Sequence, residues 1–371
     1  MSTVNITPCK DYSANHQLHL VGYSLIFIGG LVLNVAAIWI FLCYLKLKSV
    51  VSFYMLNLAV SDLLFTISLP FRIYYYYKGE WPFGTVLCQI SGSVFQINMY
   101  GSCLFLMCIN LDRFVAIVYP LRWRHLRRPR VARLLCLVVW VLILMGSVPV
   151  AGVHKTTKCA RQNQSIILCF ESFSDGRWQK GLFPLIILAE ILGFLLPLTA
   201  VIYCSIRIFQ KLCQADSIHS VRQQKTIRML VVNLIIFIIC FVPYNVILAA
   251  YGLMKAHVIQ VEPAMRDSVR QALVVTVVLA SMNCTLDPLI YYFNTEGFRN
   301  TLKKLRRGQA WDSEIGTVQN RVAEERSYKA VARVKPGAKK KFVQDSILHS
   351  ESLPFAPPKL FLNSPIEDSE I

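Results

Sequence analysis

Charged side chains make up only 16% of the 371 residues, well under the roughly 25% usual for soluble domains. That shortage excludes a water-facing globular surface over most of the length. Other absences narrow the class further. There is no internal repeat, no zinc-ligand spacing, no phosphate-cradling glycine loop and no hydrolase motif, so neither a solenoid nor a recognisable enzyme is expected. No A-x-A-like site follows the first apolar run, which is also too long for a signal core and is preceded by polar residues, so it reads as a span rather than a cleaved leader. Between Val269 and Phe293 there is no lysine to carry a retinal Schiff base, which excludes a light-driven pump. No cysteine follows Cys284, so no palmitoyl anchor is expected after the last span. Acids are scarce relative to bases, 21 against 39.

What is present is apolar. Hydrophobic residues reach 55% and mean hydropathy is +0.47. Runs long enough to cross ~30 Å of hydrocarbon recur at about 20–45, 51–76, 86–111, 131–153, 182–206, 229–254 and 269–293. In lipid such runs must be helices, because only a helix satisfies its own backbone there. The expected fold is an all-α membrane protein, a seven-transmembrane helix bundle with a short cytoplasmic helix 8 held by Phe298, Leu302 and Leu305. Residues 1–19 are the expected extracellular N-terminus, 20–306 the membrane domain and 307–371 a disordered cytoplasmic tail. Bases collect after the first, third, fifth and seventh runs, including Lys46, Arg124, Arg127, Lys225 and Arg299. These segments are therefore cytoplasmic and the N-terminus is outside. The net charge of +18 is this bias plus attraction to anionic lipid, not a nucleic-acid footprint. Asn5 and Asn163 head N-x-[ST] triplets in segments thus placed outside.

Polar groups inside the spans choose among receptor, channel and transporter. Prolines Pro70, Pro149, Pro197, Pro243 and Pro288 fall singly in five spans, which suits hinges in a bundle better than paired broken helices of an inverted repeat. Asp62 and Asp287 lie within spans two and seven, with Asn34, Asn57, Ser102 and Asn283 at similar depth. An ionisable group in lipid is a functional candidate by default, and two carboxylates among neutral oxygens suit a small cation. The set Asn34 in GLVLN, Asp62 in LAVSD, Leu111-Asp112-Arg113-Phe114, Trp140, Pro197, Cys240-Phe241-Val242-Pro243 and Asp287-Pro288-Leu289-Ile290-Tyr291 resembles the rhodopsin-like G-protein-coupled receptors over about residues 20–306. Phe114, Phe241 and Asp287 depart from the commonest pattern in ways similar to the purinergic-type, lipid-binding branch.

The resemblance implies roles. Asp112 pairs with Arg113 at the cytoplasmic end of span three, and Phe241, Pro243, Asp287, Pro288 and Tyr291 take part in switching. Gln223 offers no acid for a second ionic lock. Asp62, Ser102, Asn283 and Asp287 hold one allosteric sodium ion; no other cofactor is expected. The four cysteines placed outside are expected to pair as Cys88 with Cys169 and Cys9 with Cys159. Heterotrimeric G proteins, arrestin and receptor kinases are the implied partners, the last two through tail serines such as Ser346, Ser350 and Ser352. A PDZ domain could take the C-terminal Asp368-Ser369-Glu370-Ile371.

For the ligand, Phe95 stands where amine receptors carry aspartate, with Gln96 and Met99 adjacent, so a cationic amine finds no counter-ion. Asn245, Leu248 and Val277 stand where nucleotide receptors carry a histidine and bases. Arg72, His154, Lys255 and Arg270 read as a basic rim over a shaft containing Tyr74, Tyr75, Phe95, Met99 and Tyr251, which suits an anionic head with a long tail. Glu190 in span five is expected to pair with a rim base. Stretches such as INMYGSCLFLM and LRWRHLRRPRVARLLCL resemble the lysophospholipid receptors of that branch, implying a lysophosphatidic acid agonist and coupling to the twelve/thirteen and q classes; another anionic lipid, a nucleotide or a peptide is the alternative.

Overall fold

A computed structural model of the chain describes residues 13–47, 49–153, 156–161, 164–170, 183–214 and 221–306. The chain divides into two units, residues 1–303 and 304–371, and of the second only 304–306 are described. Among the described residues, seven helices are long and apolar enough to cross a membrane: α1 His16–Tyr44, α2 Val50–Lys78, α3 Gly84–Val118, α4 Pro129–Gly152, α5 Phe183–Cys213, α6 Gln223–Lys255 and α7 Pro263–Phe293. A short α8, Glu296–Arg306, follows. Most spans outrun the apolar runs that announced them. Hydropathy marks only the hydrocarbon stretch, whereas the helix continues through the headgroup layer to its caps. On α2 those caps are Ser49, whose hydroxyl accepts from Ser52 N, and left-handed Gly79 at φ 74°.

Three π-helical turns interrupt the spans, at Ile40–Tyr44, Glu190–Leu195 and Phe237–Phe241. Two of them stand directly before Pro197 and Pro243. A proline cannot donate to the carbonyl four residues back, and the widened turn absorbs that missing bond. In α7 the same deficit is met from another helix. Pro288 leaves the Cys284 carbonyl without its helical donor, and Asn34 Nδ2 of α1 donates to it at 2.7 Å. Asn57 Oδ1 accepts from Trp140 Nε1 at 2.8 Å, joining α2 to α4. Both asparagines, placed by sequence at the depth of the expected cation set, thus tie neighbouring helices together.

The hydropathy reading gave no structure to the outer loop between α4 and α5. It contains an antiparallel hairpin of β1 Thr157–Arg161 and β2 Gln164–Leu168, in register from Thr157–Leu168 to Arg161–Gln164. Trp81 N donates to Ile167 O at 2.8 Å, and Cys169 is disulfide-bonded to Cys88 at the start of α3 as expected. The hairpin is thereby fixed at both its edge and its end. Cys159 is also disulfide-bonded; Cys9, its expected partner, lies outside the described residues. So do His154, Asn5, Asn163 and the tail 307–371 with its serines and its C-terminal Ile371.

Helix α8 corrects one expectation. Phe298 was expected to anchor it in the membrane, yet it is buried in protein, with ring centroids 5.4 Å from Phe41 and 6.0 Å from Tyr291. An aromatic ring on the inner face of an amphipathic helix gains more from rings of α1 and α7 than from lipid headgroups. Lys225 Nζ at the start of α6 donates to Glu296 Oε1 at 2.8 Å, so α6 is tied to α8 by a base where the sequence had offered only the neutral Gln223.

Candidate functional site

Arg72 organises the outer half of the bundle. It was expected on the rim, but it is rooted almost two turns inside the end of α2, and its residue is only 5% exposed. Its Nη2 donates to the Ser91 carbonyl of α3 at 2.6 Å. Aromatic rings surround the guanidinium: Phe170 at 4.5 Å, Phe95 at 5.8 Å and Tyr23 at 5.9 Å from their centroids. Among the described residues it has no carboxylate partner. A guanidinium in such a place is stabilised by carbonyl and π-face contacts, and these leave its charge uncompensated.

The rest of the wall follows from local structure. Tyr75, one turn above Arg72, is fully buried, with its ring 5.7 Å from Phe170. Phe170, directly after the disulfide, holds φ at +74°, a conformation that L side chains seldom adopt; its ring also meets Trp81 at 5.5 Å. Phe95 packs edge-on against Tyr244 of α6 at 5.4 Å, and Met99 is buried one turn below. Gln96 is half-buried. Tyr74 stands apart from these rings: it is 38% exposed and its ring rests on Phe83. Lys255 and Arg270 stand partly exposed at the outer ends of α6 and α7. The structure thus joins Arg72, Tyr75 and Phe95 in one aromatic cage and leaves the other described bases at the mouth.

Glu190 was expected to pair with a rim base; among the described residues it forms no ion pair. It opens the π-helical turn of α5, is buried, and its Oε1 makes no hydrogen bond. The turn carries it inward towards Tyr100 and Tyr244, away from the ends of α6 and α7 where the bases stand.

Below the cage lies the polar cluster. Asp62 accepts from Asn98 Nδ2 at 2.8 Å and from the Tyr291 hydroxyl at 3.4 Å. Asn283 Nδ2 donates to Ser102 Oγ at 2.9 Å. Both Asp287 oxygens and Asn283 Oδ1 are buried without a hydrogen-bond donor. Three donor-less oxygens of this kind fit a small hard cation, which takes oxygen ligands and needs no proton. Sequence reasoning missed Asn98; its spacing, one turn before Ser102 on the same face of α3, was the available signal.

At the cytoplasmic end, Asp112 accepts from Arg127 Nε at 3.1 Å and Nη2 at 3.5 Å. Arg127 belongs to a 3₁₀ turn, Arg124–Arg127, in the basic loop, whose arginines had been read only as topological bias. The neighbouring Arg113 lies within electrostatic reach of both. Higher in α6, Phe241 is fully buried at the outer end of its π-helical turn, edge-on to Phe237 at 5.2 Å, and Phe237 stacks on Phe194 of α5.

Comparisons with known proteins agree with this architecture. A family model described as "7 transmembrane receptor (rhodopsin family)" matches residues 33–291. Lysophosphatidic acid receptor 5 of Mus musculus is 58% identical over 301 residues, 81% of this chain and 81% of that protein. The Bos taurus protein of the same name is 57% identical over 300 residues, 81% of this chain and 82% of that protein. Lysophosphatidic acid receptor 6 of Homo sapiens is 38% identical over 327 residues, 86% of this chain and 94% of that protein. A match that runs from α1 to α7, over the cage, the polar cluster and the cytoplasmic aspartate–arginine step, means that the chain belongs to the rhodopsin family of seven-transmembrane receptors.

Proposed function

We propose that the chain is a receptor for lysophosphatidic acid which passes agonist binding to G proteins of the twelve/thirteen and q classes, raising cytosolic calcium and activating Rho. Its family makes it a multi-pass plasma-membrane receptor that couples to heterotrimeric G proteins, and not an enzyme. The names of its relatives supply the lysophospholipid. Within this chain the observation that carries the reading is Arg72, a buried guanidinium caged by rings and without a carboxylate partner among the described residues. A phosphate supplies the missing counter-charge, and an acyl chain suits the aromatic and aliphatic walls. Lys255 and Arg270 at the mouth draw in the anion, and Tyr75, Phe95, Gln96 and Met99 line its path; His154, outside the described residues, is a further candidate. An extracellular N-terminus is supported by the side on which the loop bases collect and by the Cys88–Cys169 bridge at the other face.

The test uses the full chain with an epitope fused to its N-terminus, stained on intact cells to report both orientation and surface amount. Cells expressing it should answer nanomolar lysophosphatidic acid with a calcium rise and Rho activation, and should ignore a neutral monoacylglycerol of the same acyl chain. An equal response to both lipids would move the ligand class away from phosphate.

Asp112 is held by Arg127, and release of Arg113 to the G protein's terminal helix is the output step of this reading. Arg127→Ala takes away the ion-pair partner of a nearly buried carboxylate. Because Arg127 is 39% exposed at its side chain, solvent screens the pair and its worth is about 1 kcal/mol. Ligand-independent Rho activation should therefore rise a few-fold at equal surface expression. An unchanged basal level would make the pair a mere loop anchor.

A further inference from the structure

We infer that Tyr23 and Ser91 complete a closed three-donor cradle around Arg72 that takes the terminal oxygens of a phosphate monoester and disfavours a phosphodiester. This rests on the reading of Arg72 as the headgroup's partner and goes beyond it in naming the other donors and the ester class. Three polar atoms surround the guanidinium position without a hydrogen bond: Arg72 Nε, the Tyr23 hydroxyl and Ser91 Oγ. Their residues are 5%, 0% and 1% exposed, so water does not readily serve them. Buried donors left unmade are costly, and each of these three can donate. They lie together because Arg72 Nη2 is held on the Ser91 carbonyl and the guanidinium faces the Tyr23 ring at 5.9 Å.

Tyr23 is brought to this point by close packing of α1 on α7. A Cβ at Gly22 would lie 2.7 Å from a Val278 methyl carbon, so only glycine permits the approach. Among the described residues no acid supplies an acceptor to Arg72. A group that satisfies all three donors must present several acceptor oxygens on one centre and carry negative charge. A phosphate monoester presents three terminal oxygens. A phosphodiester presents two, and its second substituent would have to fit among Tyr23, Phe95 and the Phe170 ring that covers the guanidinium at 4.5 Å.

Tyr23→Phe keeps the ring that packs on Arg72 and removes only a hydroxyl that has no well-formed hydrogen bond, with Arg72 and Ser281 beside it. The full-length receptor is assayed in cells, normalised to surface amount, with lysophosphatidic acid and with its O-methyl phosphodiester carrying the same acyl chain. Ser91→Ala serves as the second variant, since it keeps the carbonyl that holds Arg72, and Arg72→Ala as the reference. The expected result is a preference of the unmodified receptor for the monoester, and a loss of about tenfold in monoester potency for Tyr23→Phe and for Ser91→Ala, with the methyl ester unmoved. Equal losses for both lipids would assign the two residues to packing and overturn the inference. If both variants keep full monoester potency while Arg72→Ala loses it, the cradle is wrong and the headgroup reading stands. If Arg72→Ala also keeps it, the headgroup reading falls and takes the cradle with it.

Discussion

Arg72→Ala is expected to lower the potency of lysophosphatidic acid by on the order of a hundredfold, read as a calcium or Rho dose response at matched surface expression. The size follows from burial. Each charge-assisted bond to phosphate is worth roughly 1.5–3 kcal/mol, and in a cage closed by Phe170, Phe95 and Tyr23 no solvent screens it. Alanine at Arg270 or Lys255 should cost less, about threefold to tenfold, because both stand partly exposed at the mouth. Arg72→Lys should fall between, since an ammonium cannot hold the Ser91 carbonyl and also fork onto phosphate. Wild-type potency in Arg72→Ala, with normal surface display, would falsify the headgroup assignment.

The second large effect concerns the polar cluster. Sodium is expected to weaken agonist binding by a factor within the roughly 5–150-fold range of ordinary allosteric coupling, and Asp62→Asn should abolish that dependence. Asp287 and Asn283 present buried oxygens without donors, while Asp62 is already held by Asn98 and Tyr291. A cation bound there favours the packing in which these oxygens converge, and an agonist that favours another packing must then oppose it. Asn98→Ala should shift the sodium midpoint, because it frees one Asp62 oxygen. Agonist competition curves in sodium and in an organic-cation buffer would show the effect directly, and curves that coincide in the unmodified receptor would remove the ion from the mechanism.

The sequence by itself determined what depends on one dimension. Spanning a bilayer is a matter of counting apolar residues, so the seven helices could be read without knowing how they pack, and loop bases fixed an expected orientation for the same reason. Intramembrane charge is so costly that Asp62 and Asp287 declared themselves, and the structure brings them, Ser102 and Asn283 together. Cys88 and Cys169 could be paired because a loop end and a helix start leave little choice.

What only the tertiary structure decided were the partners of groups whose reach depends on helix rotation and rotamer. Arg72 had the spacing of a rim base, yet its long side chain turns inward to α3 and into a ring of aromatics drawn from α1, α3 and the segment after β2. Asp112 stood beside Arg113 in sequence and is bonded to Arg127, fifteen residues on, because a 3₁₀ turn folds that loop back under α3. Phe298 had the pattern of a lipid anchor and is buried against Phe41 and Tyr291. Glu190 was read as the partner of a rim base and, among the described residues, forms no ion pair, because a widened turn places it inside the bundle. Periodicity along a chain says which face a residue shares with its neighbours; which other helix that face meets is set by packing between helices, where neighbours are hundreds of residues apart, as Asn34 and Cys284 show.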